Sequence, residues 1–222
     1  LLRWNNAELH PDYYSARIVD SGWETEQILS VWLEPEPSWT GFTPGQHLLV
    51  TLLHQGRYIS RSFSISSSSG LFAQQKQIRI SCRIQPQGQF TKALAADIAK
   101  LTHLSISAAT GDFVLEPQTD GAPQQSIVMV AAGSGITPLW SMLSSLRCWT
   151  SPVVLFYCVK NAAQAAFLTE LRLLAAKQPL FELQLIETAS TGRLNLVQQL
   201  KENTKISLTH ALYYLCGPAA MS

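Results

Sequence analysis

The sequence predicts two lobes in series, a small antiparallel β-barrel and then an α/β domain on a parallel sheet. Three observations predict it. Six strand-like runs with one short helix fill the first half. Strand-like and helix-like segments alternate through the second. Between them, Pro117-Gln118-Thr119-Asp120-Gly121-Ala122-Pro123-Gln124-Gln125 has the composition of a linker. The expected domains are residues 1–119 and 124–222.

Taken in order, residues 14–20 and 27–34 read as strands, with turn-rich Asp20-Ser21-Gly22 between them. Pro35-Glu36-Pro37 ends the second, and Thr43-Pro44-Gly45 turns the chain into a third strand, His47 to Leu53. A fourth covers Arg61 to Ser66, and Ser67-Ser68-Ser69-Gly70 reads as a loop. In the fifth, Ile78, Ile80, Cys82 and Ile84 alternate onto one face. Thr91 to Ala99 carries alanine and leucine at helical spacing, and Leu104 to Ala108 makes a sixth strand. Antiparallel closure of such short strands gives a barrel. The second half offers strands at 126–132, 152–159, 181–187 and 211–216 and helices at 138–147, 162–176 and 194–202. Asn161 and Gln164 suit a capping box for the second of these helices. This alternation implies right-handed crossovers and a parallel sheet.

Hydrophobic residues make up 46% of the 222 and charged residues 14%, so the chain can bury a core and is not a disordered sequence. A net charge of +1 with no run of lysine or arginine argues against nucleic acid or an anionic membrane surface as the main partner. No apolar run approaches the roughly 20 residues that span a bilayer. Cys82, Cys148, Cys158 and Cys216 are dispersed, which argues against a metal site or a disulfide scaffold built from them. A reduced, cytoplasmic setting is expected. The chain opens on Leu1-Leu2-Arg3 without signal-peptide features and stops at Met221-Ser222, just after a strand and a turn. It is expected to be part of a longer protein.

The stretch with most chemical content is Ile127 to Pro138, a fully apolar strand running into Gly133-Ser134-Gly135-Ile136-Thr137-Pro138. Thr137 suits an N-cap and Pro138 the first helical position. A helix start behind a glycine turn can hold a phosphate or pyrophosphate, although Gly-x-Gly also suits any strand-to-helix turn. Ligands of doubly wound sheets lie beyond the carboxyl ends of strands, and Cys216-Gly217-Pro218 is a second such end. Cys216 also reads as an inert buried thiol, and Gly217-Pro218 as an ordinary turn. In the barrel half, Arg61-Ser62-Phe63-Ser64 offers a guanidinium for phosphate, a ring for stacking and a hydroxyl. Strand parity puts Arg61 and Phe63 on one face and Ser64 on the other. The same tetrapeptide suits a barrel strand with one solvated arginine and one core phenylalanine. Gly88-Gln89-Phe90-Thr91 opens the short helix, either as a second phosphate cradle or as a simple N-cap by Thr91.

In their joint order these stretches resemble the ferredoxin–NADP reductase superfamily of flavoprotein reductases. Arg61-Ser62-Phe63-Ser64 matches its Arg-x-Tyr-Ser, and Pro44-Gly45-Gln46 its Pro-Gly-Gln. Gly88 to Leu94 matches Gly-x-x-Ser/Thr-x-x-Leu, and Gly111-Asp112-Phe113 the end of the barrel. The second half supplies Gly-x-Gly-Ile-Thr-Pro at 133–138 and Cys-Gly-Pro at 216–218. Within the superfamily, Gly111 to Leu115 and Gly192-Arg193-Leu194 look most like bacterial iron–sulfur oxidoreductases with a plant-type 2Fe–2S domain after the flavin module. Those serve desaturases, hydroxylases and ring-modifying oxygenases.

The resemblance implies a Greek-key barrel that binds FAD, or less readily FMN, followed by an NAD(P)-binding α/β domain. Hydride would pass from NADPH, or NADH, to the flavin and then leave as single electrons to a ferredoxin-type domain or protein. Alternatives are a reductase for haem, free flavin or ferric acceptors, and a flavin-binding regulatory subunit without turnover. By the same resemblance Arg61 binds a flavin phosphate, Phe63 stacks on the ring system with Ser62 beside it, and Ser64 hydrogen-bonds near N5. Gly88 to Thr91 hold the flavin phosphates, Gly133 to Pro138 take the nicotinamide dinucleotide, and Cys216 lies at nicotinamide C4 in a slot shaped by Gly217 and Pro218. Ser64 and Cys216 are the catalytic pair. Two departures stand out. Phe63 lacks the family's tyrosine hydroxyl, and the family's last helix and strand would lie past Ser222. Lys160-Asn161, Ser190, Thr191 and Arg193 stand where an acidic ribose ligand would favour NADH, so the residues lean to NADPH.

Overall fold

The computed structural model describes residues 13–115, 125–203, 206 and 211–218. Most of the expected linker and the terminal Met221-Ser222 lie outside them. In the first lobe, β1 (Tyr13–Thr25), β2 (Ile28–Pro35), β3 (His47–His54), β4 (Arg57–Ser64), β5 (Ile78–Arg83) and β6 (His103–Ser107) form one sheet. Its order is β4-β3-β6-β1-β2-β5, with every pairing antiparallel. An antiparallel bridge between Ile65 and Ile80 joins the two outer strands, so the sheet closes into a barrel. Leu48, Val50, Ile65, Ile80, Leu104 and Ile106 fill its interior with no exposed surface worth the name.

Four local readings in this lobe need correction. Asp20-Ser21-Gly22 is not a turn. It lies within β1, where the register shifts between Ile18 and Asp20 and the Asp20 carboxylate accepts the Ser21 N–H at 2.8 Å. The turn chemistry is spent in a bulge while pairing to β2 continues. β4 begins at Arg57 because Gln55 (φ 51°) and Gly56 (φ 74°) make a two-residue hairpin, the turn whose twist suits paired strands. And the serine-rich loop opens a helix, α1 (Ser69–Gln75), capped by the Ser68 hydroxyl, which accepts the Leu71 N–H at 3.1 Å. The barrel's second helix, α2 (Gln89–Asp97), starts two residues before Thr91. Thr91 is therefore not its N-cap, and its hydroxyl accepts the Gln85 N–H at 3.2 Å.

The second lobe is a four-stranded parallel sheet of β7 (Ser126–Ala132), β8 (Val153–Val159), β9 (Phe181–Glu187) and β10 (Ala211–Cys216), in the order β10-β7-β8-β9. Its helices are α3 (Ile136–Ser145), α4 (Leu168–Lys177), α5 (Thr188–Thr191) and α6 (Leu196–Glu202). Since β8 leaves β7 to one side and β10 returns on the other, strand order reverses between β7 and β10. The predicted helix 162–176 is broken. A 3₁₀ turn at Ala162–Gln164 comes first, the Asn161 side chain makes no cap, and Phe167 precedes α4 in the left-handed region at φ 59°. No helix among the described residues is long and apolar enough to cross a membrane.

A polar seam joins the lobes. The Ser141 hydroxyl of α3 donates to the Ser67 carbonyl at 2.7 Å, and the Ser145 hydroxyl accepts the Ser69 N–H at 3.0 Å. Gly45 sits in the same seam at φ 103°, where an added Cβ would strike the Phe113 carbonyl and the Met142 methyl. Both the backbone angle and the space forbid a side chain. Gly45→Ala is expected to cost at least about 1–3 kcal/mol of stability, read as a lowered urea midpoint at unchanged m-value.

Candidate functional site

One cleft of about 910 Å³ runs between the lobes, at the upper end of the range for small-molecule pockets. Its barrel wall carries Ser62, Phe63 and Ser64 of β4 with Ser81, Cys82 and Arg83 of β5. The opposite wall carries Gly133, Ser134, Gly135 and Thr137 and, from the end of β10, Cys216, Gly217 and Pro218. The strand-order reversal between β7 and β10 thus opens directly onto the barrel.

The two glycines of the β7 turn are required for different reasons. Gly133 has φ 54°, a left-handed conformation, and its open side faces the Arg83 guanidinium, with 3.8 Å from a built Cβ to Nη1. Gly135 has an ordinary φ of −63°, but a Cβ there would collide with the Cys216 carbonyl. It is glycine so that the neighbouring strand end can close in. Side chains fix the turn from within. The buried Tyr157 hydroxyl donates to the Gly133 carbonyl at 3.4 Å, and the Thr137 hydroxyl to the Ser134 carbonyl at 3.0 Å. Thr137 lies inside α3, whose N-cap is Gly135, so the predicted capping role is replaced by this bond.

On the barrel wall, Phe63 is half-buried and tilts against Phe90 with ring centroids 5.4 Å apart. Phe63 and Ser64 both line the cleft, although strand parity puts them on opposite faces, because regular β4 pairing ends at Ser64. Arg61 is exposed, does not line this cleft, and donates from Nη1 to the Ser60 carbonyl at 2.7 Å. Gly88 is the N-cap of α2, Gln89 its first residue, and Phe90 is buried in the barrel core. Ile136 and Pro138 likewise turn into the α/β core.

Sequence reasoning passed over Arg83, Gln27 and Tyr157. Arg83 occupies the polar parity of β5 opposite the isoleucines, and it accompanies Gln27, whose Oε1 accepts its Nη2 at 2.9 Å. That parity was the available signal. Lys160 and Arg193 also line the cleft, so its lining holds three cations and, among the described residues, no carboxylate. The Glu187 carboxylate at the end of β9 accepts the Ala162 N–H at 2.7 Å and is turned to structural use. No group of histidines, cysteines and carboxylates among the described residues could hold a metal ion.

Three thiols line the cleft, Cys82, Cys158 and Cys216, and burial raises the pKa of each, that of Cys82 to about 12. They are neutral at physiological pH. A flavin and a nicotinamide dinucleotide fit this site's chemistry. One wall offers a ring and hydroxyls, the other an open glycine turn, and the cations suit phosphates.

Comparison with known proteins agrees with this geometry. The family described as "Oxidoreductase FAD-binding domain" matches residues 23–115, and "Oxidoreductase NAD-binding domain" matches residues 129–222. An NADPH oxidoreductase of Mycobacterium tuberculosis is 33% identical over 198 residues, covering 88% of this chain and 50% of that protein. A flavohemoprotein of a Burkholderia species is 27% identical over 158 residues, 70% of this chain and 38% of that one. This chain therefore spans about half or less of the length of these relatives. Among solved structures, a ferredoxin NADP+ reductase from Neisseria gonorrhoeae with bound FAD and NADP superposes with a TM-score of 0.75 at 19% identity, covering 96% of this chain and 88% of that one.

The thiols generate a stability prediction. A folded-state pKa above the unfolded value of about 8.5 means that the folded protein holds more protons at alkaline pH. The contribution is complete below about pH 8.5 and is lost as pH rises from there. The urea midpoint is expected to fall between about pH 9 and 11, and to fall less steeply in Cys82→Ala.

Proposed function

This chain belongs to the oxidoreductases that join an FAD-binding to an NAD-binding domain, and on that footing we propose that it is the NAD(P)H-dependent flavoprotein reductase module of an electron-transfer system. It takes hydride from NADPH and delivers single electrons to a 2Fe–2S ferredoxin-type domain or protein that feeds a desaturase, hydroxylase or oxygenase. The observation that carries this reading is a single cleft walled by Phe63 and Ser64 on one side and by Gly133–Gly135 and Cys216–Pro218 on the other. Bound flavin supplies the conversion of a two-electron hydride into separate electrons, which no side chain can do.

The chain's own residues bind, orient and exclude water. Residues 1–119 hold the flavin. Phe63 offers one ring face while Phe90 backs the other, Ser62 and Ser64 supply hydroxyls beside it, and Arg61 with Gly88 to Thr91 takes the phosphates. Arg61 must leave the Ser60 carbonyl to do so. Residues 124–222 hold the pyridine nucleotide, with Gly133 to Pro138 and Arg83 around its pyrophosphate. The neutral, half-buried Cys216 thiol, with Gly217 and Pro218, would hold the nicotinamide on the side of the cleft opposite the barrel wall. Holding donor and acceptor at near-attack distance is the protein's share of the rate.

Lys160 and Arg193 favour the nucleotide with the extra phosphate, since Glu187 is tied to the Ala162 N–H and not offered to a ribose. One charge-assisted hydrogen bond contributes about 1.5–3 kcal/mol, roughly tenfold to a hundredfold in Kd. A second reading replaces the iron–sulfur acceptor by haem, and the flavohemoprotein relative favours it.

The purified protein is expected to be yellow and to bleach anaerobically with NADPH at lower concentration than with NADH. A preparation that stays oxidised with both would overturn the reductase reading. Bleaching by electrons that then reduce a ferredoxin but not a haem protein separates the two acceptors. Replacing Arg193 by alanine is expected to raise the Kd for NADPH roughly tenfold and to leave that for NADH unchanged. In Cys216→Ala, stopped-flow reduction at saturating NADPH is expected to slow more than nucleotide binding weakens, and an unaltered rate would remove Cys216 from the hydride site.

A further inference from the structure

Among the described residues, Arg79 is the one charged side chain that is buried, at 8% exposure. It stands on β5 of the barrel, yet its partners come from both lobes. Nε and Nη2 donate to the Ser66 carbonyl at 3.2 and 3.0 Å, and Nη1 to Glu24 Oε1 at 3.3 Å, all within the barrel. Across the seam, Glu170 of α4 lies 3.9 Å from Nη1, and the guanidinium carbon stands 4.3 Å from the centre of the Phe167 ring. Trp32 flanks it on the barrel side at 5.4 Å. Burial lowers the Arg79 pKa, while Glu24 and then Glu170 pull it back up.

We propose that Arg79 is a positioning residue that fixes the angle between the two lobes, and with it the facing of the two cleft walls. Its barrel partner Ser66 lies two residues beyond Ser64, and the Ile65–Ile80 bridge holds that strand end against β5. Four residues along β5, Arg83 reaches the Gly133 turn. On the other side α4 follows β8, whose end supplies Cys158, Val159 and Lys160 to the cleft. The guanidinium therefore grips both walls from behind. A pair of apolar side chains could fill the same space and be as stable. What they lack is direction: a planar fork on one carbonyl and a cation between two rings fix orientation as well as distance. The Phe167 ring that completes the sandwich stacks on Trp140 of α3 at 6.0 Å and stands on a left-handed backbone, a conformation that persists only where the surroundings over-determine it.

The test has two arms, and only the second rests on the reductase reading. For the first, nitroxides are placed on the exposed Cys148 of the α/β lobe and on Lys100→Cys, whose side chain is 82% exposed on the barrel, in a Cys216→Ser background. Pulsed dipolar EPR is expected to give one narrow distance with Arg79, a broadened or displaced one with Arg79→Met, and an intermediate one with Arg79→Lys. For the second, in the unlabelled protein, flavin reduction at saturating NADPH is expected to slow on the order of tenfold to a hundredfold in Arg79→Met, with the nucleotide Kd unchanged. An unchanged distance distribution, or a rate that falls only as binding falls, overturns the proposal. Should Arg79→Met fail to fold, Arg79→Lys carries both arms, and no change in either readout overturns it. If the unsubstituted protein is reduced by neither nucleotide, the reductase reading fails and the distances alone judge Arg79.

Discussion

The contact on which the cleft depends is backbone against backbone, where the turn after β7 meets the last carbonyl of β10. Parallel pairing runs to Cys216 opposite Ala131. Gly135 lets the turn lie against the end of β10, since any side chain there would occupy the place of the Cys216 carbonyl. The consequence is a cleft wall made here of peptide groups. A larger residue would push β10 outward and carry Cys216, Gly217 and Pro218 away from the barrel wall. Much of the α/β lobe can be read as support for this approach. Tyr157 and Thr137 hold the turn's carbonyls, and the Ile136, Leu139 and Met142 face of α3 packs beneath.

The lobes meet through polar groups placed singly beside an apolar contact in which Ile28 and Phe113 pack into the α/β core, and the polar part differs from the way each lobe is held together. Inside the barrel and beneath the parallel sheet, burial of apolar surface dominates and tolerates exchange of similar side chains. At the seam, Ser141, Ser145 and Arg79 each answer a specific backbone group or ring. A buried serine hydroxyl contributes about 1 kcal/mol when made and costs about 1–3 kcal/mol when its partner is left alone. These polar contacts add little to stability and much to register.

Legibility followed the type of interaction. The β7 strand, its glycine turn and the end of β10 could be read directly, because an apolar run bounded by glycine leaves few alternatives. The barrel's strand count was equally readable. Asp20-Ser21-Gly22 misled because the same residues that make a turn also make a bulge, and only the partner strand decides. In β5 the alternation of isoleucines is real, and the opposite face, which alternation leaves unassigned, also buries Arg79 and Ser81. That face is covered by the other lobe and by a hydroxyl chain in which Ser81 meets Ser30 at 2.6 Å and Ser66 at 2.8 Å. Long-range cover of this kind leaves no local trace. Arg83 is exposed and its parity opposite the isoleucines was legible, but not the glycine turn of the other lobe that it faces; Thr137 was given a cap's duty because N-cap and first-turn threonines look alike in one dimension.

Among the described residues, a lining of three cations without a carboxylate, in a chain whose net charge is only +1, concentrates positive potential in one concavity. Low-dielectric walls focus such a field outward, so the mouth draws anions from farther off than contact distance. At physiological ionic strength the reach shrinks to a Debye length of about 8 Å. Added salt should then slow the arrival of polyphosphate ligands more than it hastens their departure, leaving the cleft a fast collector in dilute media and a slower one at high ionic strength.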